Sequence, residues 1–578
     1  MSGIANFTKG LFEYDELSRA IDKNLLPMGV LGLSHIHKAH FIHSLCAEKK
    51  RKALIITPDE SSATKLRNDL TAMGTAAALY PAGDFSFRPT QAHSHDYEQQ
   101  RLGVLSSMAQ GTVEAVVMSA EAALQLTIEP HILRRNTMVI DVGSEIPLDM
   151  IADDLVAAGY TRCELVEGRG QFAIRGGLID IFPPSLENPV RIELWGEEVD
   201  SIAYFETDTQ RRTEQIGQVM ITPATGILYE SPESLIGIIE QHKATLKGKG
   251  SVKAKALLDE DIEKIKNGVR IESLDRYMPL LGNGGATVFE HAEGYMLFVC
   301  ETSAVKTHAE SSEKLLHEDI KAMFEEGVLS KGMDRFALSF AELTSIYEKR
   351  HAVYLDNLPR GSFDTPVKNL VTLSARQLPP WTGQLTDLIE DVKPAISKGY
   401  QAVVFAGTDK AAKSLVEELQ DEHVNTMYFP VVPAEFPAGC VSVVNGSLSF
   451  GFEYPAAKVI VITYGSRQAN LGSLRKAKKK NKGQTFNSLD ELHRGDYVVH
   501  ATHGIGIFDG INSLNADGMI KDYIKIKYAK DGVLYVPVTQ LDLVTKYIGP
   551  GSETKTVSLN KLGSDDWTTT RSRVRSSV

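Results

Sequence analysis

Gly32-Leu-Ser-His-Ile-His37-Lys38-Ala39 stands where a nucleotide-binding fold places its phosphate loop, between a short apolar run and a helical one. A working loop reads GxxxxGK[ST]. Its glycines let main-chain N–H groups wrap phosphates, its Lys neutralises them, and its hydroxyl holds Mg²⁺. Here Gly32 and Lys38 keep their places, but His37 replaces the second glycine and Ala39 has no hydroxyl. The loop is degenerate, and hydrolysis of ATP is not expected from it. His35, His37, His40 and His43 follow, the last three at a spacing that one helix face can share. No Cys or carboxylate accompanies them in sequence, so they read as surface or helix-start histidines, with no metal site. His93 and His95 read the same way, and His500 and His503 read as part of a turn rather than an acid–base pair.

Three other groups could make contacts rather than chemistry. Arg475-Lys476-Ala-Lys478-Lys479-Lys480-Asn-Lys482 puts six basic residues in eight, which suits either a solvated linker or a phosphate-backbone contact. Arg169 to Pro184 and Val190 to Phe205 are dense in Gly, Pro and strand formers. Val190, Ile192 and Leu194 alternate with Arg191, Glu193 and Trp195, so period 2 sends the first trio to a core face and the second to the other face. Arg and Trp on an outer face are favoured interface anchors. The plainer reading pairs Arg175 and Arg191 with Glu193 and Glu197 across a hairpin.

The elements that must position these groups alternate between classes. Ala53 to Thr57 and Glu114 to Ser119 read as buried strands, with a helix from Ser62 to Met73. Residues 1–125 therefore suggest a parallel sheet with crossover helices. Residues 126–212 change to short strands and turns, with Gly196-Glu197 as a hairpin turn. Residues 213–345 return to α/β, with a strand at Tyr295 to Cys300 and a helix from Ser311 to Glu326. The pattern weakens from Arg350 to Leu378, as in a loose connection. A small α/β unit occupies the rest of 346–470, with runs at Ala402 to Ala406, Asp409 to Gln420 and Val459 to Thr463. The basic linker spans 471–486. Residues 487–550 are all-β and punctuated by glycines, suggesting a small SH3-like barrel, and 551–578 read as a polar lead-out.

Composition bounds the classes. A chain of 578 residues needs several cores. Net charge of −12 argues against binding nucleic acid over the whole surface. No run of about 18 apolar residues suggests a membrane span, and the first residues lack the pattern of a signal peptide. Cys46, Cys163, Cys300 and Cys440 form no CxxC pair, which fits a reducing cytoplasm and argues against zinc or a disulfide framework.

The Arg169–Phe205 stretch resembles a module shared by the UvrB family and the Mfd family of transcription-repair coupling factors, where it docks UvrA. The resemblance extends by eye over about 15–345. It implies a degenerate RecA/UvrB-like α/β domain with an inserted antiparallel β module. It also implies UvrA contacts at Arg175, Arg191 and Trp195. UvrB-like proteins carry an Asp-Glu for Mg²⁺ where this chain has Cys300-Glu301, and a thiol is a poor ligand for a hard cation. The stretch Pro81 to Gln100 is too short and polar for the DNA-clamping hairpin of UvrB, so Mfd is the better match. Gly495-Asp-Tyr-Val-Val-His500, His503-Gly-Ile-Gly506 and Leu534-Tyr-Val-Pro-Val538 resemble the RNA-polymerase-interacting domain that Mfd shares with the CarD family. That implies binding to the polymerase β subunit through a strand edge near Ile511, Ser513 and Leu514.

The resemblance thus implies an adaptor without its motor, an α/β multidomain chain ending in a CarD-like β-barrel. It would be a cytoplasmic bacterial monomer that binds UvrA and RNA polymerase β and acts in nucleotide excision repair. It would hold no cofactor, because ATP and Mg²⁺ would serve an ATP-dependent double-stranded DNA translocase in motor domains whose motifs are absent here. Two other readings stand beside it: a UvrB-like ATP-dependent DNA enzyme, and a CarD-like transcription regulator.

Overall fold

The computed structural model describes residues 3–464 except 84, 86, 88–95, 249–250, 268–270, 272, 283–284, 359–361 and 382. Beyond these it describes 494–500, 503–516, 519–529, 532–537, 544–546, 559 and 561, without the side chains of 148–149, 511–516, 519–522 and 545–546. One unit comprises 1–85, 95–314 and 329–470; the other comprises 86–94, 315–328 and 471–578.

The first unit is built on a seven-stranded sheet. Its spatial order is Asn369–Thr372, Met28–Leu31, Val353–Leu355, Met296–Cys300, Ala53–Thr57, Ala115–Ser119 and Ala77–Tyr80. Every neighbouring pair is parallel. The central strands are buried at every position, because helices cover both faces. Continuous apolar runs such as Ala53–Thr57 are therefore legible as strands. Glu60–Ala72 supplies the expected helix, started by the Asp59 carboxylate accepting from the Ser62 N–H at 2.7 Å. The later helix begins earlier than expected, spanning Thr302–Glu326.

The stretch from Arg350 to Leu378 is not a loose connection. Val353–Leu355 and Asn369–Thr372 flank Met28–Leu31 on both sides and complete the sheet. The first is only three residues long, and the second sits half-exposed at the sheet edge. Neither carries a strong periodic signal.

The β module leaves and re-enters this fold through an antiparallel pair, Met138–Asp141 with Gln218–Ile221, in which Met138 lies opposite Ile221. Its six-stranded sheet has the order Arg212–Ile216, Glu198–Phe205, Val190–Trp195, Leu178–Ile181, Gln171–Arg175, Thr161–Arg162. Ile179, Ile181, Val190, Ile192, Val199 and Ile202 form its core with the helix Leu148–Ala157.

The small α/β domain has its own six-stranded sheet, ordered Arg376–Leu378, Gly451–Tyr454, Val459–Thr463, Gln401–Phe405, Val441–Val444, Thr426–Phe429. The last four strands run parallel, and the first two pair antiparallel at the other side. In the second unit a five-stranded antiparallel sheet has the order Val533–Pro537, Met519–Lys527, Gly504–Ala516, Tyr497–His500, Val544–Lys546. Val498, Phe508, Ile524, Ile526, Leu534 and Val536 line its core. The all-β reading of 487–550 holds; Val544–Lys546 is too short to announce itself.

Candidate functional site

The module's outer face begins at the strand Val190–Trp195. Ile192 is fully buried, while the last residue, Trp195, is 85% exposed. The strand ends in the turn at Gly196, whose φ of +68° is a left-handed conformation that favours glycine. Beside the indole lies an open cleft of about 330 Å³ lined by Gly177, Leu178, Glu193, Leu194, Trp195 and Asp200. Gly177 is required there, because a Cβ would sit 2.8 Å from the Leu194 carbonyl oxygen.

The two arginines behave differently from the tryptophan. Asp180 stands opposite Arg191 in the ladder and is 1% exposed. Arg191 donates through Nε to Oδ1 at 2.7 Å and through Nη2 to Oδ2 at 2.8 Å, a bidentate pair. That bond holds the guanidinium above its ordinary pKa. Arg191 also donates to the Gln210 carbonyl at 3.2 Å and lies 4.8 Å from the Phe205 ring centroid. Arg175 adds a contact of 2.5 Å from Nη2 to Asp180. Its side chain remains 45% exposed, against 14% for Arg191.

The pairing of these arginines with Glu193 and Glu197 is therefore corrected: the acceptor for both is Asp180, and Glu193 pairs with Arg212. The outer face is also not open throughout. Val166, Ala173, Phe182 and Phe205 form a second small core beneath Arg191. Arg175 and Trp195 reach solvent, while Arg191 is held by Asp180, Gln210 and Phe205. Sequence reasoning missed Asp180, because its role depends on a ladder partner 11 positions away.

The phosphate-loop helix, His35–Lys49, follows the strand Met28–Leu31 as expected. Every residue from Ile36 to Cys46 is buried, which corrects the surface reading of His37, His40 and His43; His35 stands at the helix start and is half-buried. His40 is fully buried between two partners, with Nδ1 3.0 Å from the Tyr454 hydroxyl and Nε2 2.8 Å from the Ile4 carbonyl. His37 lies 2.8 Å from Ser34 Oγ and against the rings of Phe452 and Tyr454. His43 lies 2.7 Å from Thr75 Oγ1. Burial lowers the pKa of His35, His37 and His43 to about 4 and that of His40 to about 3. Lys38, 2% exposed, is ion-paired with Glu301, and Ala39 is buried. Glu301 adopts the left-handed conformation, with φ +58°. Cys300 is buried, and its thiol is pushed up to about 12. Among the described residues no group of three or more His, Cys, Asp or Glu gathers as a metal site.

In the other unit, Ile511, Ser513 and Leu514 lie on the strand Gly504–Ala516, paired with Ile524, Asp522 and Lys521. Along that long strand, Tyr497–His500 pairs with the Gly504–Ile507 part and not with Ile511–Ala516 among the described residues. Among the described residues, the other edge of Ile511–Ala516 has no neighbouring strand. Their side chains, and the whole basic run Arg475, Lys476, Lys478, Lys479, Lys480 and Lys482, lie outside what the structure describes. The His500 and His503 rings lie 4.9 Å apart, tilted by 32°, and burial lowers both pKa values. No helix among the described residues is long and apolar enough to cross a membrane.

Comparison with known proteins matches these two regions. The UvrB interaction domain model matches residues 138–226, and the CarD-like/TRCF RID domain model matches 492–548. The transcription-repair-coupling factor of Bacillus subtilis is 31% identical over 590 residues, covering all of this chain and 50% of that protein. That of Staphylococcus epidermidis strain RP62A is 27% identical, covering all of this chain and 49% of its own length. That of Staphylococcus aureus strain USA300 is 27% identical, covering 95% and 47%. A solved structure, "Structure of S. tokodaii Xpd4", aligns at 9% identity and a TM-score of 0.21, too low to support a likeness of fold. The chain spans about half the length of the curated relatives it matches. Over its whole length the chain is similar to transcription-repair-coupling factors, and it matches the UvrB interaction domain and CarD-like/TRCF RID domain models at 138–226 and 492–548.

Proposed function

We propose that this chain is the adaptor portion of a bacterial transcription-repair coupling factor. One face captures UvrA, and a strand edge grips the RNA polymerase β subunit. Trp195 carries the first half of this reading: an indole left 85% exposed beside a cleft is poised to lose water against a partner. Arg175 supplies charge beside it, and Arg191 holds the strand through Asp180. The edge of Ile511–Ala516, beside which no strand lies among the described residues, carries the second half, since main-chain groups on such an edge can bind an extended segment. On this reading the five-stranded sheet is a CarD-like, SH3-type barrel, and the seven-stranded fold is a degenerate RecA relative.

The whole protein would be an ATP-dependent translocase on double-stranded DNA that displaces a stalled polymerase. Its ATP and Mg²⁺ would belong to domains in the half of its relatives that this chain does not span. Action in the cytoplasm as a monomer fits this role. The test is calorimetric titration with purified UvrA and, separately, with a polymerase β fragment. Trp195→Ala should weaken UvrA about thirty-fold, near 2 kcal/mol, and leave β binding intact. Leu514→Ala should do the reverse. UvrA affinity unchanged by Trp195→Ala would remove this face from the proposal.

A further inference from the structure

The fold around the phosphate loop implies a nucleotide, and the residues present do not fit one. A polyphosphate needs the loop's main chain open, its Lys unpaired, and room at the helix start. Each is taken. The Leu373 carbonyl oxygen lies 2.5 Å from where a Cβ on Gly32 would stand, so the chain leaving the sheet's edge strand Asn369–Thr372 lies against the loop. Leu373 N–H donates to the Leu31 carbonyl at 2.9 Å, fixing that approach. Lys38 is neutralised by Glu301, whose left-handed backbone turns its carboxylate to the site. The His37 ring fills the place of the second glycine and packs on Phe452 and Tyr454 of the strand Gly451–Tyr454.

The same domain is fastened at three further points. Tyr454 meets His40. Ser449 donates to the buried Asp69 carboxylate from its N–H at 2.7 Å and from its hydroxyl at 2.6 Å. Gly3 N–H donates to the Pro433 carbonyl at 2.6 Å. These contacts join residues more than 400 positions apart in two cases, Tyr454 with His40 and Gly3 with Pro433, and they come from both polar and aromatic groups.

We infer that the small α/β domain is the seated occupant of the degenerate nucleotide site, in place of a nucleotide. It is not a spacer: it holds the phosphate-loop helix in one arrangement, so the β module is presented without any nucleotide cycle at this loop. In a working site the phosphates enter and leave, and the loop moves with them. Here the occupant is part of the chain and covers one side of the helix while the sheet's core covers another, so no small-molecule event at this loop can reset it.

Amide hydrogen exchange on the whole chain tests this, comparing the parent with a Ser449→Ala/Tyr454→Ala variant, each with and without millimolar MgATP. The parent should show no change in residues 32–49 on adding MgATP. In the double variant, exchange in the helix His35–Lys49 should rise at least ten-fold, while the strand Val190–Trp195 keeps its protection. Tyr454→Phe keeps the ring and removes only the hydroxyl contact with His40; it should raise exchange in the helix by a smaller factor. It carries the test if the double variant does not fold. Protection of residues 32–38 by MgATP in the parent would overturn the inference. So would unchanged exchange of the helix in the variants.

Discussion

Asp180 changes what substitutions in the proposed docking face report. It is buried and receives both arginines, so Arg191→Ala should leave a carboxylate half-satisfied at 1% exposure. We expect a loss of about 2–3 kcal/mol of stability, measurable by urea unfolding. Loss of partner binding in that variant would then mix unfolding with contact. Trp195→Ala should cost under about 0.5 kcal/mol, since the side chain has little packing to lose. If Trp195→Ala proves the more destabilising of the two, the division of labour drawn here is wrong. The sequence makes Trp195 legible through its alternation with Ile192 and Leu194. It does not reveal that Arg191 is a brace, because Asp180 and Phe205 reach it only through strand pairing.

The phosphate-loop helix shows the limit of reading one element by itself. Histidines and a lysine on an ordinary helix suggest a wet face, yet His35–Lys49 has the seven-stranded sheet's core on one side and Tyr454, Phe452 and Ile4 on another. No local pattern can announce a neighbour hundreds of positions away. Its buried histidines make a pH dependence. Unfolded, each takes a proton as pH falls below about 6.5; folded, they resist protonation down to about 4, or about 3 for His40. The unfolded chain therefore binds more protons in that window, and stability falls as pH falls, by up to about 1.4 kcal/mol per unit for each histidine. Asp69 acts in the opposite sense, because burial raises its pKa to about 6, so the folded chain gains a proton there first. One carboxylate offsets part of four histidines. The urea midpoint should drop clearly between pH 7 and pH 5. An unchanged midpoint would mean that these rings are not buried in solution. By contrast, strands such as Ala53–Thr57 and Val459–Thr463 are readable at once, since burial on both faces demands uninterrupted apolar residues.

At the scale of the molecule, a net charge of −12 leaves the run Arg475 to Lys482 as the sequence's densest positive segment. Replacing Lys478, Lys479, Lys480 and Lys482 with Ser should weaken binding to a short DNA duplex. It should also flatten the dependence of log affinity on log salt by up to about 0.9 per lost contact. Fluorescence anisotropy across a salt series would measure this, and an unaltered slope would leave the run as a linker alone. The order of architectures along the chain is legible from composition and period, but the way the small domain closes over the phosphate-loop helix is not. The antiparallel pair that opens and closes the β module has a different consequence. With Met138 facing Ile221, the module hangs from a two-strand stem whose ends are neighbours. It is a cassette: it could be lifted out and its stump closed by a turn of about two residues, or set into a surface hairpin of an unrelated host. Natural exchange of such a piece needs a hairpin in which to plant it and a host surface that replaces the contacts Gln99 and Gly103 make with Arg169 and Pro184.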